Sequence, residues 1–479
     1  MDNLSPITYL NPNPDPNIVK KFLDLESNDQ ENAELFCYLF KDKFRFLDEE
    51  NTWVCHDGLR WQTRWQDDTG AWITASDLAR NALAGALKQK LILFEQYKSG
   101  TVDYQRKRNK ISQDRNLGKI KPALETAAGL PGMKFSITQF DKDRWLLGCQ
   151  NTIIDLHTGM PVAQSQLNNN LVLKSNNLIY DPLATAPRWL RFLDEVFEGN
   201  QETVSFIKHL VGYTLTGEVC EEKLFILLGA PGTGKTTFLK TLSTLHGGYH
   251  HALPAAFFYL QKWDRTSWHK FSLCGKRLAT TMELQPNKRV DNELIKYLTG
   301  GDILDGEKKY SMPISYSPTA KLFWGMNEIV ALNTLDDAIS QRLCVIPFRV
   351  RFRETKKEEK QLKDVTFPAE LHGILNWAIE GALEYQRDGL IFPLCVKEKT
   401  QWVKDTCNPL VGFIKARIKR NPNKNEKFSN VWNAFIVFKT MQGIQQFMTD
   451  NSFSREMSNL GYGSVKRGSD VFFDGIELV

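Results

Sequence analysis

The stretch Lys223-Leu-Phe-Ile-Leu-Leu-Gly229-Ala-Pro-Gly-Thr-Gly-Lys235-Thr236-Thr237-Phe-Leu-Lys-Thr-Leu-Ser-Thr-Leu245 decides how the rest of the chain is read. It opens with a short apolar run of the kind a parallel sheet buries, and after Lys235 its apolar residues fall at helical spacing. Between the two stands the pattern G-x-x-x-x-G-K-[ST], here Gly229, Ala230, Pro231, Gly232, Thr233, Gly234, Lys235 and Thr236, with Thr237 next in the first helical turn. The chemistry requires these residue types. Gly232 and Gly234 let backbone N–H groups turn inward around phosphate oxygens, Lys235 brings a point charge, and Thr236 offers a hydroxyl to Mg²⁺. At ordinary residue frequencies a chance match arises about once in fifty chains of this length, and the flanking strand and helix make it rarer. The stretch reads as a site for a nucleoside triphosphate, with ATP and Mg²⁺ the expected ligands.

Three more runs, KRLATTM (276–282), AKLFWGM (320–326) and LCVIPF (343–348), are buried-strand candidates separated by helical or loop segments, so residues 223–390 read as an α/β nucleotide-binding core. A phosphate cradle hydrolyses nothing alone. It needs an acidic group near Mg²⁺ and the attacking water, and Glu283, after KRLATTM, is the candidate for both catalysis and the metal. Asn327 ends the next strand, where an amide can orient a water. Arg342 stands just before the fourth strand, placed to reach a neighbouring subunit's γ-phosphate.

Working outward, 479 residues with 42% hydrophobic and 24% charged make an ordinary globular chain of about three domains, which excludes wholesale disorder or a fibrous rod. The balance of 61 basic against 56 acidic residues, net +5, names no partner. No apolar run reaches the length of a membrane span and the N-terminus has no secretory pattern, so the expected location is the cytoplasm of a bacterium or an infected cell. The eight cysteines are scattered without a C-x-x-C, against both a disulfide framework and a zinc site. His250 and His251 read as loop residues, because adjacent side chains rarely point at one ion.

Residues 1–17, rich in Asn and Pro, read as a flexible tip, and 18–140 as a mixed α and β region in which Trp53, Trp61, Trp65 and Trp72 build a small core. Residues 141–222 read as a β-rich connector followed by a helical collar with two short amphipathic helices. Residues 391–479 read as three amphipathic helices and a hairpin, the order of a winged helix. There Lys415, Arg417, Lys419, Arg420, Lys466 and Arg467 are candidate DNA contacts, with a solvated basic face as the alternative.

The order of these elements resembles the superfamily 3 helicases, specifically the helicase portion of phage, plasmid and poxvirus-type primase-helicases. KRLATTMELQPNKRVDNELIKYLTGGDILDGEKKY, with Lys296, Gly300, Gly301 and Asp302, is similar to that family's stretch from Walker B to motif B′. SPTAKLFWGMN and DDAISQRLCVIPF are similar to its sensor 1 and arginine-finger segments, and LLGCQNTIIDLHTG, LIYDPLATAPRWLRFLDEVF and LVGYTLTG to the domain that precedes its ATPase. Met282 and Gln341 depart from the family's usual residues. The resemblance implies an AAA+-like core in a homo-oligomeric ring, expected to be hexameric, that moves 3′ to 5′ on single-stranded and forked DNA in the replication of a phage, virus or mobile element. It also implies a DNA-gripping hairpin in EKKYSMPISY, with Lys308, Lys309 and Tyr310 as contacts. No primase-type carboxylate cluster precedes it, so any priming is expected from a separate protein. A remodelling AAA+ ATPase and a nucleotide-switched origin-binding protein stay open as alternatives.

Overall fold

The computed structural model describes residues 15–479 except 26, 67–69, 168–169, 261–266, 286–287, 289, 310, 330–336, 357, 408 and 442–447. Most of the stretch read as a flexible tip, residues 1–14, therefore lies outside the described residues, and so does Tyr310. A short helix, Pro16–Lys20, begins within that stretch, because Pro fits the first helical position and the Asp15 carboxylate accepts the Asn17 N–H at 2.8 Å.

The N-terminal region packs helices Asp29–Phe40, Ala75–Lys98 and Leu117–Ala128 against a sheet ordered Trp61–Gln62, Thr52–His56, Phe44–Leu47 and Lys134–Phe135. The long helix starts at Ala75 because Thr74 and Asp77 form a capping box. Trp53, Trp61 and Trp65 are buried as the sequence indicates. Trp72 is not: it is 58% exposed, with the Arg64 guanidinium 4.5 Å from its ring. It ends the two-stranded ribbon formed by Arg64–Gln66 and Trp72–Thr74, and alternation along that ribbon turns it to solvent.

A three-stranded sheet (Leu146–Gly148, Ile153–Asp155, Met160–Pro161) follows, then helices Pro187–Val196 and Gln201–Leu215. The second of these lies along the helix Phe367–Asp388 so closely that a Cβ on Gly212 would sit 2.1 Å from the Ala382 backbone nitrogen. Trp189 is fully buried between Phe192, Phe238, Phe367 and Trp377, which fixes the collar to the core.

The core sheet has five parallel strands, β1 (Leu224–Leu228), β2 (His250–Ala252), β3 (Leu278–Met282), β4 (Lys321–Met326) and β5 (Leu343–Pro347), in the spatial order β2-β3-β4-β1-β5. β1, β4 and β5 are buried throughout, as expected of a sheet covered on both faces. The strand β2 corrects the reading of His250 and His251 as loop residues: they pair with Leu278 and Ala279 at the sheet edge. His250 contacts the Ser243 and Thr280 hydroxyls, and burial holds its imidazole at about 4, well below its usual range. Among the described residues no group of His, Cys, Asp or Glu could hold a metal on its own. The opposite edge, β5, is covered by the helix Leu394–Cys407, whose Thr400 hydroxyl accepts the Val345 N–H at 2.9 Å.

The C-terminal region runs helix Pro409–Arg417, strand Ile418–Lys427, helices Phe428–Met441 and Asp450–Asn459, then the hairpin Ser464–Arg467 and Asp470–Leu478. Phe413, Phe435, Phe453 and Phe473 fill its core. Lys419 and Arg420 thus stand on a strand, where the sequence reading placed helix; Pro422, two residues beyond Arg420, lacks the N–H and the freedom that a helix needs. Among the described residues, no helix is long and apolar enough to cross a membrane.

Gly212→Ala should force the collar helix off its partner and cost about 2 kcal/mol of stability, read as a lower denaturant midpoint for the core transition. An unchanged midpoint would mean that this contact does not hold the collar in place.

Candidate nucleotide-binding site

The loop that follows β1 turns over the start of the helix Lys235–His246. Gly232 and Gly234 have φ of +84° and +93°, left-handed conformations that most side chains avoid. A Cβ on Gly232 would come within 2.5 Å of the Arg353 Cβ, so this turn admits only glycine on two counts. The helix begins with its free N–H groups facing the loop, a site prepared for anionic oxygen.

Lys235 is 4% exposed, and its ammonium donates to the carbonyls of Gly229 at 2.5 Å and Ala230 at 2.9 Å. Burial pulls its pKa below the usual lysine value, and the negative charge of Glu283 works in the opposite direction. Thr233 is buried and donates to the Ala230 carbonyl at 2.9 Å, bracing the loop from within. Thr236 is exposed, leaving its hydroxyl open to the cleft.

That cleft encloses about 600 Å³ and is lined by Pro231 to Thr237 together with Glu283 and Asn327. The structure therefore brings together the loop, the carboxylate and the amide that the sequence singled out. Glu283 follows β3 at φ +55°, an uncommon conformation for a non-glycine residue, with its N–H held by the Gly325 carbonyl at 3.0 Å. This backbone bond fixes where the carboxylate leaves the sheet. A Mg²⁺ ion fits the chemistry here: Thr236 and Glu283 are exposed oxygen donors beside a phosphate cradle, and such an ion would keep several waters. When bound, it would draw charge from the phosphate oxygens.

Arg342 is not in this cleft. It precedes β5, where Leu343 pairs with Leu224, whereas the loop leaves β1 after Leu228, which pairs with Pro347. Five strand residues separate the two ends, about 17 Å at the usual rise per residue. Lys308 and Lys309 lie in the turn between the strands Leu304–Gly306 and Ile314–Tyr316, a hairpin that precedes β4 and so hangs from the same amino end of the sheet. Ser311 tightens that turn by donating to the Lys308 carbonyl from its backbone at 3.1 Å and its hydroxyl at 3.0 Å.

The cleft also contains residues that sequence reasoning passed over. Arg188 and Phe192 come from the helix Pro187–Val196, and Arg353 and Lys363 from the segment between β5 and the helix Phe367–Asp388. Arg188 is bound to Glu195 at 3.1 Å and Glu359 at 2.9 Å, so its charge is already spent within the wall. The basic run Arg349, Arg351 and Arg353 shortly after β5 was the available signal for Arg353.

Residues 33–198 match the model of the family described as D5 N terminal like, and residues 227–342 match a family of unknown function (DUF5906). The protein "Putative helicase L207/L206" of Acanthamoeba polyphaga mimivirus is 22% identical over 314 residues, covering 61% of this chain and 32% of that protein. "Putative helicase V13" of Sputnik virophage is 27% identical over 209 residues, covering 40% of this chain and 27% of that protein. The chain thus spans about a third of the length of the curated relatives it matches. Among solved structures, the A form apo structure of the NrS-1 C terminal region aligns with a TM-score of 0.40 at 12% identity, over 62% of this chain and 78% of that one. Residues 33–198 thus carry the likeness to the D5 N terminal like family, and the two viral proteins extend the similarity over 314 and 209 residues.

Lys235→Ala should weaken nucleotide binding by about 10- to 100-fold, the worth of a charge-assisted contact to phosphate. Affinity of the unaltered chain should fall as pH rises, starting below the range where an ordinary lysine loses its proton, since deprotonation removes the charge that faces the phosphates. Titration of a fluorescent ATP analogue between pH 7 and 10 checks both, and an affinity indifferent to Lys235 would remove the loop from the site.

Proposed function

We propose that the chain is an ATP-dependent DNA helicase acting in the replication of a virus or mobile element. Each nucleotide cleft is completed by a neighbouring copy of the chain in a ring, with six subunits expected. The observation that carries this reading is the separation of Arg342 from its own cleft by the length of the parallel sheet. An arginine so placed serves a phosphate only in trans, and a ring lets every copy both give and receive one. Glu283 would polarise the attacking water and help hold Mg²⁺, while Asn327 would orient that water. The names of the two viral relatives support a helicase, and the strand order around β1 supports an AAA+-like, superfamily 3 core.

DNA would be gripped by the hairpin. Lys309 is exposed at its turn, Lys308 is half-buried, and Met312 beside them is 69% exposed, which gives phosphate contacts next to an apolar surface for bases. Such backbone contacts predict binding that is indifferent to sequence and weakened by salt. The helix, strand, helix, helix and hairpin order of residues 409–478 supports a winged helix as an accessory DNA contact. Movement from 3′ to 5′ follows from the family resemblance.

Purified protein should hydrolyse ATP faster with single-stranded DNA than without it, and Arg342→Ala should lose that turnover, by about 10³-fold or more, while still binding ATP. Glu283→Gln should behave alike, with a loss of about 10²- to 10⁴-fold. Turnover unaffected by DNA would point to a remodelling ATPase instead.

A further inference from the structure

Arg342 ends the helix Asp337–Arg342, and its side chain is 18% exposed. Its Nε donates to the Thr299 hydroxyl at 3.1 Å, and its Nη2 donates to the Glu222 carboxylate at 3.1 Å. The two partners belong to different parts of the core. Glu222 stands in the linker just before β1, at a left-handed φ of +49°, and its neighbour Lys223 donates to the Gln341 carbonyl at 2.6 Å. Side chain and backbone around Arg342 are thus both held by two consecutive linker residues. A non-glycine residue kept in that conformation points to a constraint worth its cost.

Thr299 is 4% exposed in the last turn of the helix Asn292–Gly300, where it donates to the Ile295 carbonyl at 2.7 Å and uses its remaining acceptor capacity for Arg342. Buried Leu294, Ile295 and Leu298 anchor this helix in the core, so it moves as a body. Gly301 ends it at φ +77°, and the chain passes through Asp302 and Ile303 straight into the hairpin strand Leu304–Gly306. The guanidinium therefore sits between the linker of the nucleotide loop's own strand and the root of the basic hairpin.

We propose that Glu222 and Thr299 are positioning residues for Arg342, tying it to the hairpin so that single-stranded DNA on Lys308 and Lys309 frees it for the neighbouring subunit's nucleotide. The inference rests on the reading of Arg342 as a group acting in trans. Glu222 carries a charge opposite to that of the arginine, so it competes with the phosphates for the guanidinium. Thr299 transmits displacement of the hairpin's helix. Neither residue lines the nucleotide cleft or the hairpin turn, so each acts through Arg342.

The test uses the full chain, ATP and an oligothymidylate. Glu222→Gln keeps the size and removes the charge, and DNA-free turnover should rise about two- to fivefold, within the range of a part-exposed ion pair. The ratio of DNA-stimulated to basal turnover should fall correspondingly. Thr299→Val should also lower that ratio, Thr299→Ser should restore it, and ATP affinity should stay unchanged in all three. Glu222→Gln and Thr299→Val that both keep the unaltered ratio, beside an inactive Arg342→Ala, would overturn the coupling alone. A fully active Arg342→Ala would overturn the trans reading and the coupling with it.

Discussion

The direction of the parallel strands constrains everything else in this molecule. A parallel sheet gathers the carboxyl ends of all its strands on one side, and the phosphate loop, Glu283 and Asn327 leave β1, β3 and β4 there. Segments entering the strands collect on the other side, which is where Arg342 and the basic hairpin stand. No side-chain rotation bridges about 17 Å of strand, so one chain has the two halves of the proposed reaction centre facing opposite ways. On the proposed reading, association of copies would join those halves, and the same polarity places the basic hairpin on the arginine's side of the sheet.

The amino end of the sheet is held unusually firmly. Arg277, 2% exposed, donates to the carbonyls of Leu215 and Leu146 at 2.5 Å each, while buried Lys321 donates to the Thr216 carbonyl. These carbonyls lie at the carboxyl end of the collar helix, where cations are favoured, and in the first strand of the connector. Burial drives the Lys321 pKa well below its usual value, but the carbonyl contacts keep its N–H groups satisfied. Arg277, just before β3, and Lys321, at the start of β4, thus tie the connector and collar to the strands that lead to Glu283 and Asn327. Glu222 comes seven residues after the collar helix ends at Leu215, so the linker that holds Arg342 is attached to a fixed body.

The fold of the core was largely legible in the sequence because its signals were local. Four of its five strands are short, mostly apolar runs, and the glycines of the phosphate loop announce backbone conformations that other residues resist. The edge strand β2 was missed because His250-His251-Ala252 carries no apolar run and is defined by its pairing with Leu278 to Thr280. Strand Ile418–Lys427 was missed for the same reason, since its residues are mostly polar and its pairing partner lies some fifty positions away. At the site, each residue of the loop could be named from the motif. Arg188 and Glu222 could not, because what selects them is proximity across the fold, and Arg353 was marked only by the basic run it closes.

Complementation between inactive subunits tests the central claim most directly. Mixing Lys235→Ala protein, which lacks the cradle but keeps the arginine, with Arg342→Ala protein, which keeps the cradle but lacks the arginine, creates interfaces where an intact cleft meets an intact arginine. The account predicts that ATP turnover, nearly absent from either variant alone, reappears in the mixture and depends on the mixing ratio. Turnover that stays at the sum of the two separate variants at every ratio, with mixed assemblies shown to form, would contradict it.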